Sequence, residues 1–519
     1  MFAVCATALL GMVGLATEVG TWYVARTQAY SVADAVAVAG ALQGAWTPGE
    51  GYDPSVDPNV LTPLSGYTSA SVKASTVAWP NASAPATKAS VSIPLPSFLA
   101  LLFTSQSVTV GASATAVINP TGNVACALSL SGPLTITQSQ DGLSLGFPCF
   151  YASNSNKPQA IDVNPPSLYA QGLTTVGGCS ATCPAADPTS PLVGGLNANG
   201  NIVLARPTAT LQPPTTNPYA SVDAGVSVQA SQIICPDPAS GTVTYPQGTV
   251  LDPITHCPPS PTAATVTALV PASGDAFIGP NANPAQSCVP ASGLVCGYHN
   301  VNATISSNVT VYPGTYLFVN SSLTIQSGTV QCMAYSDINV GPCDPSLGAA
   351  YYPLGHAGVA FVLTGSSPGN LVICGSAIWG PCPGGTGASV TLSSQASNGF
   401  SPALDGVLFY RSSTSPSPDG SADAPVVYID DSGNTLLEGG MYFPNAYVSF
   451  TANTGSTFIA NTGGFPISCA IVVAGILTLG YPSGASAQPG ATTQFSEGGC
   501  VAAAFNTPIP LVQTVQLVQ

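Results

Sequence analysis

The side chains that could do acid–base chemistry are few. Beyond the first 100 residues the basic residues are Lys157, Arg206 and Arg411, and the histidines are His256, His299 and His356. Asp430-Asp431 follows the apolar run Val426 to Ile429, and His356 lies in a Gly355-His356-Ala357-Gly358 frame. Hydrolysis or elimination on an acidic polysaccharide needs a positioned acid/base pair, with cationic groups to neutralise the uronate. A galacturonan hydrolase would place clustered Asp before a Gly-His-Gly; here the histidine precedes the carboxylates, and no Lys or Arg follows Arg411. A lyase base would have to be Arg206 or Arg411. The expectation is that Asp430 and Asp431 cap a turn, that His356 is an ordinary loop residue, and that the chain is not an enzyme. Asp430-Asp431-Ser432-Gly433-Asn434 also approaches a metal-dependent adhesion motif. Asn replaces its final Ser, however, and the following Thr435 to Gly440 is too Gly-broken for the helix that motif requires.

The cysteines form a different pattern. Of 15 Cys, Cys5 lies in an apolar N-terminal run and the others lie beyond it. An even number in a large polar region points to a disulfide framework and an oxidising compartment. Nearest-neighbour spacing predicts Cys126 with Cys149, Cys179 with Cys183, Cys235 with Cys257, Cys288 with Cys296, Cys332 with Cys343, Cys374 with Cys382, and Cys469 with Cys500. Connectivity stays open, because sequence alone cannot fix it. With three His and no paired CxxC motifs, zinc is not expected, nor is any other metal or cofactor.

Composition bounds the partners. Charged residues make up 5% of the 519 residues, with six Lys plus Arg and a net charge of -15. Ordinary soluble domains carry about 25% charged residues. Such a chain offers no basic surface to phosphate backbones, which excludes nucleic-acid binding. Its surface must be built from Ser, Thr, Asn, Gln and Gly.

The elements that position these groups begin with a helix. Phe2 to Val13 is apolar, and Gly14 to Ala45 continues in an Ala-rich pattern past Trp22-Tyr23. Small residues recur at four-residue spacing, at Ala33, Ala37 and Ala41 and at Ala16 and Gly20, a pattern that lets helices approach closely in lipid. Trp22 and Tyr23 sit where an interfacial anchor would sit. Glu18 is an acid at the edge of the apolar run, either paired within the membrane or wet at the headgroups. Asp34 is a polar spot, solvated or partner-facing, on an Ala face. A helix from about Ala3 to Ala45 would span about 60 Å, roughly twice a bilayer core. A membrane anchor is expected, with a cleaved signal segment as the alternative.

These residues carry a resemblance. Gly14-Leu15-Ala16-Thr17-Glu18-Val19-Gly20, Trp22-Tyr23 and Val32-Ala33-Asp34-Ala35-Val36-Ala37-Val38-Ala39-Gly40-Ala41 resemble the N-terminus of the Flp pilus-assembly TadE/TadG-like family. Cys126-Ala127-Leu128-Ser129-Leu130, Tyr312-Pro313-Gly314-Thr315-Tyr316 and Tyr442-Phe443-Pro444-Asn445-Ala446 are similar to shorter TadG-like phrases. The resemblance implies a bacterial inner-membrane protein with a periplasmic or extracellular ectodomain. It also implies that Glu18, Gly20, Trp22, Tyr23, Ala33, Asp34, Ala37 and Ala41 face the membrane or partner helices of other pilus-assembly proteins. The family carries an Arg-rich leader before the apolar run, so the true start is left open.

Beyond the helix the chain reads as mainly β. Residues 46–119 form a small membrane-proximal α+β unit with strands at Ala70 to Val77 and Ala89 to Ile93 and a short helix at Phe98 to Phe103. In residues 120–519, strands of about four residues recur without amphipathic helices between them, among them Leu134 to Thr137, Val359 to Leu363 and Val407 to Tyr410. This pattern predicts a right-handed parallel β-helix, interrupted by a Pro-rich insertion around 185–294. The function expected is a non-enzymatic, membrane-anchored envelope protein of a Flp/tight-adherence type IV pilus. The alternative is a membrane-anchored surface β-helix that binds or degrades polysaccharide, with exposed Tyr stacking on sugar rings.

Overall fold

The computed structural model describes residues 2–46 and, with gaps, residues 53–137, 149–223 and 276–518. The chain is mainly β with one N-terminal helix, and it divides into two compact units. The short helix expected at Phe98 to Phe103 lies outside the described residues, as do Cys183, Cys235, Cys257, Cys288, Cys343, Cys500, Arg206 and His356.

The first unit comprises residues 1–121 with 212–214 and 513–519. Its helix, α1 (Phe2–Trp46), is followed by β1 (Ser71–Val77), β2 (Ala86–Leu95) and β3 (Val108–Ser129). β1 pairs antiparallel with β2, and β2 pairs antiparallel with β3. Val91, Ile93 and Leu95 alternate with polar residues, so one sheet face is apolar. That face packs against Ala25, Ala29, Val32, Ala33, Val36 and Ala37 of the helix. Recurrence of these residues every three or four positions puts them on one helical stripe. Their small size brings the helix so close that a Cβ added at Gly40 would lie 2.5 Å from Thr87 Cγ2 of β2.

The second unit comprises residues 122–211 and 215–512, and its pairings among the described strands are parallel. One ladder runs through Val295–His299, Gly314–Val319, Val359–Thr364, Val407–Arg411, Leu436–Ala452, Ala470–Gly480, the end of β3, Phe150–Ser153 and Gly172–Thr175. A second runs through Ala303–Ile305, Leu323–Ile325, Leu371–Ile373, Val427–Asp431, Leu436–Ala452, Ala470–Gly480, Leu134–Thr137 and Ile161–Asn164. A third joins Ala276–Ile278, Val309–Val311, Gly328–Cys332, Ala388–Ser393 and Leu436–Ala452.

Because register is kept from strand to strand, like residues stack. Ile305, Ile325, Ile373, Ile429, Phe450, Leu479, Ile136 and Val163 are successive partners in the second ladder and all lie in one core. Tyr316, Phe361 and Phe409 stack in the first, with ring centroids 5.4 Å apart at each step.

The order of the strands is not the order of the sequence. Strands 125–175 add to the ladder after Ala470–Gly480, while Val295–His299 occupies its opposite end. Of the described residues between 179 and 276, Ile202–Leu204 pairs parallel with Leu168–Ala170, and residues 208–223 lie against the first ladder. Ala209 bridges Thr174. Thr215 and Asn154 exchange hydrogen bonds of 2.9 and 2.8 Å. Tyr219 stacks on Tyr442 at 5.1 Å, and Asp223 accepts from Tyr410 at 2.5 Å. The Pro-rich stretch expected as an insertion is thus, where described, a strap. Val359–Thr364 and Val407–Arg411 are buried on both faces and read as continuous apolar runs rather than alternating ones.

Candidate functional site on the N-terminal helix

The helix divides at Ala25. After it, Ala33, Ala37 and Ala41 are 2% exposed or less and lie in the core of the first unit. The small-residue line is used for packing on the chain's own sheet. Asp34 is half-buried beside that line. Before Ala25, Met12, Val13, Leu15, Val19, Tyr23 and Val24 are exposed, Met12 at 68% and Tyr23 at 72%. Gly14 and Gly20 have no neighbour within 4 Å of where a Cβ would stand.

The hydroxyls of this half are turned inward on the helix. Thr17 donates to the carbonyls of Val13 and Gly14 and Thr21 to that of Thr17, at 2.9–3.1 Å; just past the division, Thr27 donates to that of Tyr23 at 3.0 Å. This i−4 bonding satisfies a hydroxyl without water. Glu18 is 9% exposed, on the flank shared with Trp22 and Ala25, and is partnered.

At the division, Arg26 lies over the Tyr30 ring at 5.6 Å and donates to its hydroxyl at 3.4 Å. Val19, Trp22, Tyr23 and Arg26 of α1, with Val108, Val110 and Gly111 of β3, line an open groove of about 410 Å³. The spacing i, i+3, i+4, i+7 puts the four helix residues on one face.

Among the described residues, no helix is long and apolar enough to cross a membrane. The apolar run on which the membrane expectation rests, Phe2 to Val13, lies largely where side chains are outside the described residues.

Of the groups weighed for catalysis, Arg411 and Asp430 are buried. Arg411 is 4% exposed. It donates to the carbonyls of Gly369 (2.9 Å) and Pro368 (3.0 Å) and bridges Asp419 at 2.8 Å. Three acceptors hold the guanidinium in place. Asp430 is 0% exposed, and its carboxylate helps burial push the Tyr428 hydroxyl up to about 12.

Sequence reasoning missed Glu438. It is 5% exposed and accepts from Ser393 at 2.6 Å. Burial pushes its carboxyl up to about 7 against the opposing pull of that hydrogen bond. It missed Asp223 as well, which holds Tyr410 and, at 3.3 Å, Tyr442; burial followed by this carboxylate raises the Tyr410 hydroxyl. One signal was available for both: in a chain with 5% charged residues, each charge is worth testing for a structural role.

Cys126 bonds Cys149, and Cys374 bonds Cys382, as nearest-neighbour spacing predicts. Cys179 and Cys469 are also disulfide-bonded; their expected partners lie outside the described residues.

The comparisons agree with the helix. Residues 1–43 match the model of the Flp pilus-assembly TadE/G-like family, which associates this segment with Flp pilus assembly. No characterised protein and no solved structure matches the chain significantly.

Proposed function

We propose that the chain is a non-enzymatic, membrane-anchored envelope protein that assembles or anchors a Flp/tight-adherence pilus. The observation that carries the reading is the family match over residues 1–43, which falls on α1, where Met12, Val13, Leu15, Val19 and Tyr23 are apolar side chains left exposed. That half inserts into the inner membrane, with Tyr23, Arg26 and Tyr30 at the headgroups. Its back-bonded threonines suit lipid, where no water satisfies hydroxyls. The second unit is the periplasmic or extracellular part. Its stacked parallel ladders support a right-handed β-helix whose turns are held by local disulfides. Partner helices of other pilus-assembly proteins would meet the face that carries Ala16 and Gly20, because the Ala33, Ala37 and Ala41 line is packed on β2.

The engagement of Arg411 and the burial of Asp430 favour this reading over a polysaccharide-degrading surface protein. The test is deletion of the coding region in its source cell, with pili counted by electron microscopy. Piliation should be lost, restored by the full chain, and not restored by a chain lacking residues 1–43. Normal piliation after deletion would contradict the proposal. So would turnover of a glycan by the purified full chain that disappears on Asp430→Ala or Asp431→Ala.

A further inference from the structure

The strap of residues 208–223 is fastened to the first ladder by different chemistry along its length. In its first part backbone groups bond: Ala209 N–H donates to the carbonyl of Leu173 at 2.9 Å, and Thr216 N–H to that of Leu511 at 3.1 Å. These groups do not titrate. From Asn217 to Asp223 side chains take over, and they meet at one carboxylate. The Tyr410 hydroxyl donates to Asp223 Oδ1 at 2.5 Å and the Tyr442 hydroxyl to Oδ2 at 3.3 Å. Asn217 Nδ2 donates to the Tyr442 oxygen at 3.2 Å, which turns the Tyr442 proton towards Asp223. Tyr219 precedes Asp223 by four residues, on the same side of a helical turn, and stacks on Tyr442 at 5.1 Å. Among the described residues, the titratable groups around Asp223 are therefore Tyr410 from Val407–Arg411, Tyr442 from Leu436–Ala452 and Tyr219 from the strap itself. The three tyrosines are at most 1% exposed, whereas Asp223 is partly exposed. Protons from solvent reach the acid, while its partners are shielded from water.

An ionised carboxylate only accepts, whereas a protonated one must donate through one oxygen. Both oxygens of Asp223 already receive a phenol proton. Protonation would leave one buried phenol without its acceptor, which is costly. We propose that Asp223 is an acid-sensitive latch, whose ionised carboxylate fastens residues 217–223 to Tyr410 and Tyr442 and whose protonation loosens that end while the backbone-bonded part stays. The folded chain resists protonation of Asp223 more than the unfolded chain does. The contribution of the latch is therefore present above about pH 4, the ordinary aspartate value, and is lost as pH falls below it. Loosening uncovers Tyr410 and Tyr442, whose rings stack at 5.8 Å.

The test is hydrogen exchange of the full chain, followed by mass spectrometry between pH 7 and pH 2.5 and corrected for the pH dependence of chemical exchange. In the wild type, protection of the peptide carrying Val222, whose N–H donates to the Tyr219 carbonyl, should fall about tenfold over this range, the worth of one buried hydrogen bond. Val359–Thr364 of the same ladder should keep its protection. Asp223→Asn has the same shape and no charge to lose, so it should show the lower protection already at pH 7 and no further change in acid. Tyr410→Phe keeps the ring and removes one donor, so its strap should loosen at a higher pH than that of the wild type. Equal protection of the wild-type strap at pH 7 and pH 2.5 would overturn the latch. So would an Asp223→Asn chain with the pH dependence of the wild type. Loss of protection in the strap and in Val359–Thr364 together would also overturn it, because acid would then unfold the second unit as a whole.

Discussion

The two units use their unusual side chains in opposite ways. The first puts apolar residues outside: Met12, Val13, Leu15 and Val19 are more than half or half exposed along one stretch of helix. The second puts charge inside: Arg411, Asp430 and Glu438 are at most 5% exposed. Apolar side chains left in water lose about 1.5–3 kcal/mol each relative to burial, and buried charges are tolerated only when paired or neutralised. The contrast shows that low overall charge has two sources here. The first unit leaves apolar side chains of its helix exposed, whereas the second buries Arg411, Asp430 and Glu438 and keeps other charges, such as Lys157 and Asp423, at the surface.

The largest effect that would sharpen this contrast is expected at Arg411. Arg411→Ala removes the donor to the carbonyls of Pro368, buried, and Gly369, part-buried, and leaves Asp419 without its cation. Since Asp419 is 29% exposed, the loss should fall near the lower end for a broken buried pair, about 3 kcal/mol. Urea unfolding of the full chain would measure it. A loss below 0.5 kcal/mol would place Arg411 among ordinary surface residues and reopen it as a functional group.

Glu438 gives an effect of similar size that depends on pH. Its native carboxyl titrates near 7, against the ordinary value of 4.5, so the folded state binds the proton more tightly than the unfolded state. Its contribution is therefore fully present below about pH 4.5 and is lost as pH rises to 7. Glu438→Gln should abolish this slope and stabilise the chain at pH 8 by at most about 3 kcal/mol. Equal slopes for the two proteins between pH 4.5 and 7 would show that burial does not hold the proton.

A smaller effect probes the packed half of α1. Gly40→Val would press its side chain into Thr87 and should destabilise the first unit by about 1–3 kcal/mol, read as a drop in thermal midpoint. Thr87→Ser, which deletes the methyl group in the way, should recover part of it. No loss on Gly40→Val would mean that the helix does not sit so close to β2.

The same contrast marks what the sequence could reveal. Strands such as Leu134–Thr137 and Val359–Thr364 are legible because short apolar runs lie between turn residues, and Cys126–Cys149 and Cys374–Cys382 are legible because each closes a short loop. Stack order is not. Nothing local to Ala127 or Leu134 says that they pair with Val472 and Leu477, since parallel pairing of apolar residues is degenerate in pattern. Nor does spacing reveal that Ala33, Ala37 and Ala41 meet β2, because small residues at that interval suit a sheet face as well as a partner helix. Of the site, the helix was legible by resemblance; the groove was not, because Val108, Val110 and Gly111 join it only once β3 is paired.

The central claim, that the exposed half of α1 belongs in a membrane, is tested most directly by flotation of the full chain on lipid vesicles beside Leu15→Arg/Val19→Arg. Each arginine at the depth of a bilayer costs about 2.5–3.5 kcal/mol, while both positions face away from the core of the first unit. The account predicts that the wild type floats with the vesicles and resists alkaline extraction, and that the double variant stays folded at the bottom of the gradient. A wild-type chain that remains with the soluble fraction, or a double variant that floats equally well, would contradict it.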